Sequence, residues 1–320
     1  MLLAVLATVI GLVFLVYSAD YFIDGASAAA VKFGMPKFLI GMLILGIGTS
    51  APEIVVSVLS ALSGSAGLAL GNAYGSNIVN ITLVLGATAL ISPLFIQQKL
   101  VKGDFLLLLG VTALTVVLLL DKTISFTDGV ILCVLLAAIL ILQMYFAKKG
   151  GHEATDELIQ SDAVNVPKSI AKLVGGLAVL VISSRFIVWG AVEIAKSFGM
   201  SEIIIGLTIV AVGTSLPELI SSVMAARKGE DEMALGNVIG SNIFNTLAVV
   251  GVAGLIAPIS VADEILKRDI VVMSGVTLVL FVMCLMALAG STKKLGRLSG
   301  GILMATFVAY TAYLAMSVMA

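Results

Sequence analysis

Moved 165 places along itself, the chain meets its own sequence again: residues 33–93 fall on residues 198–258 without a gap, and 29 of these 61 positions are identical. The identities include residues that an apolar segment does not carry casually. They pair Pro52 with Pro217, Glu53 with Glu218, Asn72 with Asn237, Asn77 with Asn242 and Asn80 with Asn245. Such a match marks an internal duplication, and a duplication fixes the fold before any single element is assigned.

The repeated unit belongs in a bilayer. With 60% hydrophobic residues, 12% charged residues and a mean hydropathy of +1.18, the composition lies outside the soluble range. A hydrocarbon core takes about 20 apolar residues per helix, and charges or Gly/Pro clusters punctuate the chain at that interval. Ten spans are predicted, at residues 2–25, 37–62, 66–91, 104–120, 124–146, 169–191, 202–226, 232–258, 269–289 and 299–319. The first lacks a basic leader and runs straight on towards the second, so it is read as a transmembrane helix and not a signal peptide. Five spans per half is an odd number, so the second half enters the membrane upside down. The expected architecture is therefore an all-α integral membrane protein of ten transmembrane helices in two inverted five-helix repeats, residues 1–146 and 168–320, joined by a short polar linker at 147–167. Secondary transporters of this design place their site at the midplane, where broken helices of the two halves meet.

Sorting the basic residues by loop sets an orientation. Thirteen fall on one side (Lys32, Lys37, Lys99, Lys102, Lys148, Lys149, Lys168, Lys172, Arg227, Lys228, Lys293, Lys294 and Arg297) against Lys122, Lys196, Lys267 and Arg268 on the other. The positive-inside rule then predicts a cytoplasmic linker and both termini outside, in the cell or inner membrane. A net charge of −1 leaves no footprint for nucleic acid. Cys133 and Cys284 lie in apolar runs without CxxC spacing and read as small buried hydrophobes, and His152 lies in the polar linker and reads as solvated. Asp20, Asp24 and Arg185 read as interfacial anchors or as members of local pairs, with a role in the sliding of the first and sixth spans as the alternative; inversion argues against their pairing with one another.

Residues 46–53 read GIGTSAPE and residues 211–218 read AVGTSLPE. Thr49 and Glu53 are one helical turn apart, as are Thr214 and Glu218, so hydroxyl and carboxylate share a face. Pro52 and Pro217 remove a backbone donor and clash with the carbonyls of Gly48 and Gly213, which predicts kinks and bare carbonyls at Gly46 or Gly48 and at Ala211 or Gly213. A second motif follows each, GNAYGSNIVN at 71–80 and GNVIGSNIFN at 236–245, with Ser76 and Asn80, and Ser241 and Asn245, again four apart. Gly, Ser, Thr and Asn at this spacing also serve as helix-packing contacts. Glu53 and Glu218 do not fit that role, because no cation lies in their own helices. Walls of carboxylate, hydroxyl and amide oxygen suit a hard cation such as Ca²⁺ or Na⁺ and not zinc or copper.

GTSAPE with GNAYGSN, and GTSLPE with GNVIGSN, resemble the two α-repeats of the Ca²⁺:cation antiporter superfamily, in its prokaryotic sodium/calcium exchanger branch. The resemblance covers essentially the whole chain. It implies ten helices with cation sites between helices 2, 3, 7 and 8, and a ligand set of Thr49, Ser50, Glu53, Ser76 and Asn80 from the first half. From the second half it implies Thr214, Ser215, Glu218, Ser241 and Asn245, with the backbone carbonyls of Gly46 and Ala211. Some members carry Asp at the position of Asn245; here Asn80 and Asn245 are both amides, so two carboxylates alone balance the cargo. The implied function is secondary exchange of Ca²⁺ for Na⁺ by alternating access, with Ca²⁺/H⁺ exchange as the alternative and a cation channel behind it. No nucleophile–base motif such as HExxH points to an enzyme, and no cofactor and no obligate protein partner besides the lipid bilayer is called for.

Overall fold

A computed structural model describes residues 1–33, 35–64, 66–149, 165–199 and 211–319. The chain forms helices α1 (Leu2–Phe33), α2 (Lys37–Thr49), α3 (Ala51–Leu62), α4 (Gly67–Ile91), α5 (Gln98–Asp121) and α6 (Phe126–Lys149) in the first half. The second half repeats the series as α7 (Val166–Ser197), α8 (Ala211–Thr214), α9 (Leu216–Arg227), α10 (Asp231–Ile256), α11 (Ile265–Ala289) and α12 (Arg297–Met319). Eight of these helices are each long and apolar enough to cross a bilayer, and α2 with α3, bent by 45° at Ser50, makes a ninth candidate. Of the expected span at 202–226, the described part is α8 and α9; residues 202–210 and the linker residues 150–164, His152 included, lie outside the described residues.

Helices α1 and α7 run past the expected ends. Asp24 and Lys172, near the expected ends at residues 25 and 169, pair with each other at 2.9 Å, and both helices continue past those ends. Asn165 caps α7 by accepting the Lys168 backbone N–H at 3.1 Å, with Pro167 in the first turn, where a missing N–H costs nothing.

Four two-residue strands reveal how the halves are related. Strand β1 (Leu94–Phe95) precedes α5 and β2 (Thr123–Ile124) follows it, so one membrane-crossing helix separates them and they mark opposite ends of the bundle. Strand β3 (Ile259–Ser260) follows α10 and β4 (Lys294–Leu295) follows α11. β1 pairs with β4, Leu94 opposite Leu295, while β2 pairs with β3, Ile124 opposite Ile259. The 165-residue shift superposes β1 on β3, yet these two lie in different sheets at opposite ends. Equivalent elements of the two halves thus face opposite sides, which is the inversion.

Helices α4 and α10 are the centre of the bundle, with 72% and 83% of an apolar 18-residue stretch of each buried against 17–33% for the other long helices. The swap seen in the strands continues in the helices: α6 packs on the second half of α10, and α12 on the second half of α4. Along the outside, α1 lies against α7, close enough that a Cβ on Gly176 would come 2.7 Å from the Phe22 nitrogen. One end of the bundle joins Lys37 to Glu230 (3.2 Å) and Lys228 to Asp20 (2.7 Å) and Asp24. At the end of β2 and β3, Asp263 takes Lys122 (2.7 Å) and Lys267 (2.8 Å), whose ammonium groups hold its carboxyl down to about 2. Asp20 and Asp24 therefore have local partners, and neither pairs with Arg185.

Candidate cation-binding site

The two motifs lie where the helices break. Ser50 (φ −84°, ψ 3°) separates α2 from α3, and Ser215 (φ −89°, ψ 7°) separates α8 from α9. In each half the proline falls in the first turn of the following helix, a position its fixed φ suits, so it starts a new helix instead of kinking a continuous one. Glu53 and Glu218 sit in those same first turns, where the positive end of the helix dipole favours a carboxylate.

The expected bare carbonyls are corrected in the first half. Gly46 O accepts the Ser50 N–H at 3.1 Å and the Ser241 hydroxyl at 3.4 Å, and Gly48 O, which Pro52 cannot serve, takes another backbone N–H at the end of α2. A tightened turn makes up for the donor that proline lacks. In the second half the Ser215 N–H donates to Val212 O, 3.2 Å away. A different loosening was not foreseen. Gly41–Gly46, Asn80–Val84 and Asn245–Val249 wind as wide π turns, and the last two begin at Asn80 and Asn245. Single π turns occur frequently at functional sites because they shift backbone groups out of the regular ladder.

Around these breaks the structure gathers oxygen. Glu53 and Glu218 are each 1% exposed, and Thr49, Ser50, Ser215, Asn80, Asn245, Ser241 and Ser76 are all buried; Thr214 is partly exposed and is engaged in an interaction of its own. Ser50 donates to Glu218 Oε1 at 3.1 Å, which ties the break of one half to the carboxylate of the other. Asn80 Nδ2 donates to Asn242 Oδ1 at 3.1 Å, and Thr49 Oγ1 donates to Leu45 O at 2.9 Å with Asn237 Oδ1 at 3.3 Å. Both Glu53 oxygens, Glu218 Oε2, Asn80 Oδ1, Asn245 Oδ1 and Ser215 Oγ are buried with no hydrogen-bond donor. Six buried, unserved oxygens are costly unless a cation takes them, and Ca²⁺ takes six to eight. Among the described residues no cluster of three or more His, Cys, Asp or Glu side chains forms, so the site holds two acidic groups and no soft ligand. Arg185 interacts with Glu53 only through its field, without an ion-pair contact.

Some positioning residues escaped the sequence reading. Asn72 Nδ2 donates to Glu53 O and Asn237 Nδ2 to Glu218 O, both at 3.2 Å, so each amide holds the main chain of its own half's carboxylate. Their identity across the repeat was visible; that they clasp the break was not. Asp104 and Asp269, also 165 apart, are held by Gln143 (2.7 Å) and by Tyr310 (2.7 Å) with Arg268 (2.7 Å). They lie beyond the ungapped block at 33–93 and 198–258, and only the common shift could have found them.

Inverted halves, broken helices meeting at a buried oxygen-rich site and two carboxylates define a membrane transporter for small hard cations. The comparisons make the assignment specific: the family model for sodium/calcium exchanger protein matches residues 3–145 and 168–316, and the chain belongs to that family. It is 42% identical over 316 residues to CaxA of Alkalimonas amylolytica, named as an antiporter, covering 97% of this chain and 98% of that one. It is 32% identical over 342 residues to the sodium/calcium exchanger MaX1 of Methanosarcina acetivorans, covering 95% and 96%. Among solved structures, the sodium-calcium exchanger NCX_Mj superposes with a TM-score of 0.84 at 32% identity, covering 98% of this chain and 99% of its own. The protein is thus a multi-pass membrane antiporter of the Ca²⁺/cation class, with the family and fold of a transporter and not of an enzyme.

Proposed function

We propose that the chain exchanges Ca²⁺ for Na⁺ by alternating access, with both cargoes competing for the oxygens between the helix breaks. The observation that carries this reading is the set of six buried oxygens without donors, drawn from both halves and centred on Glu53 and Glu218. Thr49, Ser50, Glu53, Ser76 and Asn80, with Thr214, Ser215, Glu218, Ser241 and Asn245, supply the coordinating side chains, and the carbonyls of Gly46 and Ala211 the main-chain ligands, Gly46 O once the 3.4 Å Ser241 hydroxyl turns from it to the cation. Two carboxylates neutralise one Ca²⁺ or two Na⁺; a site emptied of both keeps two unpaired buried charges, which opposes closure and couples the two fluxes. No cofactor enters. The end that carries Lys37, Lys172 and Lys228 faces the cytoplasm, following the positive-inside rule, and leaves both termini outside.

Protons are the alternative counter-cargo, favoured by the two Glu53 oxygens that no donor serves. Proteoliposomes decide. An outward Na⁺ gradient is expected to drive ⁴⁵Ca²⁺ uptake in the absence of a pH gradient; uptake driven by a pH gradient alone, and indifferent to Na⁺, overturns the assignment of Na⁺.

A further inference from the structure

The inverted repeat makes one lipid-facing groove twice, between α1 and α7, and equips the two copies differently. Near the N-terminus of α7 the groove has a volume of about 550 Å³ and is lined by Tyr17, Tyr21, Lys168, Lys172, Gly175 and others. The second copy, about 660 Å³, lies towards the other end and is lined by Leu3, Ala7, Arg185 and Trp189 among others. The 165-residue shift puts Leu3 on Lys168 and Ala7 on Lys172, so where one groove has an apolar mouth the other has two ammonium groups. Arg185 does not restore the balance. At 1.5 Å per residue it stands about 18 Å from the C-terminal end of α7, whereas Lys168 and Lys172 stand about 3 and 9 Å from its N-terminal end, at headgroup depth.

We infer that the groove at Lys168 and Lys172 is a binding site for one anionic phospholipid, with its phosphate on the lysines and an acyl chain along the groove floor. Lys168 makes no ion pair with any described residue, and Lys172, bound to Asp24 at 2.9 Å and placed 5.5 Å over the Tyr21 ring, is fixed in position. Tyr17 and Tyr21 are 65% and 53% exposed and give the aromatic edge typical of a membrane interface. Gly175 opens the floor: a Cβ there meets nothing within 4 Å, in contrast to Gly176, whose face is taken by α1. Basic pockets between membrane helices on the positively charged side recognise lipid headgroups in this way. The groove joins α1 to α7, so the lipid bridges the outer helix of one repeat to that of the other.

The test uses the detergent-solubilised full chain, delipidated and titrated with phosphatidylglycerol, phosphatidylcholine or inorganic phosphate, read by native mass spectrometry and by the thermal unfolding midpoint. One phosphatidylglycerol retained per chain and a raised midpoint are expected, with phosphatidylcholine and inorganic phosphate inert. Lys168→Glu should weaken retention at least tenfold. Gly175→Leu, which fills the floor and leaves the charge intact, should displace the lipid as well. Equal retention of phosphatidylcholine, an equal effect of inorganic phosphate, or wild-type retention by both variants overturns the site.

Discussion

The two halves of the candidate site hold their carboxylates by the same backbone device and leave them with different freedom. Asn72 and Asn237 clasp the main-chain oxygens of Glu53 and Glu218 at the same 3.2 Å, as the duplication dictates. Beyond that contact the symmetry fails. Glu218 Oε1 accepts from Ser50 of the opposite half, whereas neither Glu53 oxygen has a donor. The Ser50 N–H donates to Gly46 O, four residues back, while the Ser215 N–H donates to Val212 O, three residues back. Identical residues, Ser50 with Ser215 and Glu53 with Glu218, thus sit in unequal surroundings: one carboxylate has a hydroxyl donor and the other has none. If the proposed cation binds here, it should complete the coordination of Glu53 more than that of Glu218.

The largest effect should come from removing either charge. Glu53→Gln and Glu218→Gln should both reduce Na⁺-driven ⁴⁵Ca²⁺ uptake to background, since one remaining carboxylate leaves a buried Ca²⁺ with uncompensated charge. Thermal unfolding should separate them: the Glu218 charge is already partly met by the Ser50 hydroxyl and that of Glu53 by no donor, so Glu218→Gln should gain less stability in the absence of cargo than Glu53→Gln. The reverse order breaks the comparison.

The clasps come next. The two protons of Asn237 Nδ2 are shared among Glu218 O, Ser221 Oγ and Ser222 Oγ and its Oδ1 accepts the Thr49 hydroxyl, whereas Asn72 Nδ2 serves Glu53 O and Ser57 Oγ. At about 1 kcal/mol net for each buried hydrogen bond, Asn237→Ala should destabilise more than Asn72→Ala, by about 1 kcal/mol in a reversible unfolding titration. Equal costs would show that the Thr49 contact adds nothing. The breaks, where one hydroxyl is removed at a time, come last. Ser50→Ala removes a donor to a carboxylate and should cost about 1.5 kcal/mol of stability, whereas Ser215→Ala, whose hydroxyl has no partner, should leave the cargo-free protein's unfolding midpoint unchanged and weaken Ca²⁺ binding alone.

Much of this was legible because duplication writes its constraints twice. Glu53 with Glu218, and Asn80 with Asn245, stand out as polar residues that an apolar sequence preserves in pairs, and an odd number of spans per half already requires inversion. The winding of the backbone was not legible. Proline at 52 signals interruption, but whether the chain kinks, restarts or tightens is decided by which neighbouring N–H replaces the missing donor, and at Gly48 and Gly46 the replacements were found locally. The π turns at Asn80 and Asn245 have no residue signature of their own. The ends of α1 and α7 were misplaced for a related reason: Asp24 and Lys172 lie near the expected ends, and their pairing across the two helices is a tertiary fact. Asp104 and Asp269 were overlooked where pairwise identity lapses although the 165-residue register persists.

In the proposed mechanism the carboxylates of opposite halves share one cation. Calorimetric titration of the purified chain with Ca²⁺ in Na⁺-free buffer tests it most directly, alongside Glu53→Gln and Glu218→Gln. One Ca²⁺ per wild-type chain, displaced by Na⁺, is expected, with no measurable binding to either variant. One Ca²⁺ bound at wild-type affinity by either variant would overturn a shared site, because one half would then hold a cation without the other's carboxylate.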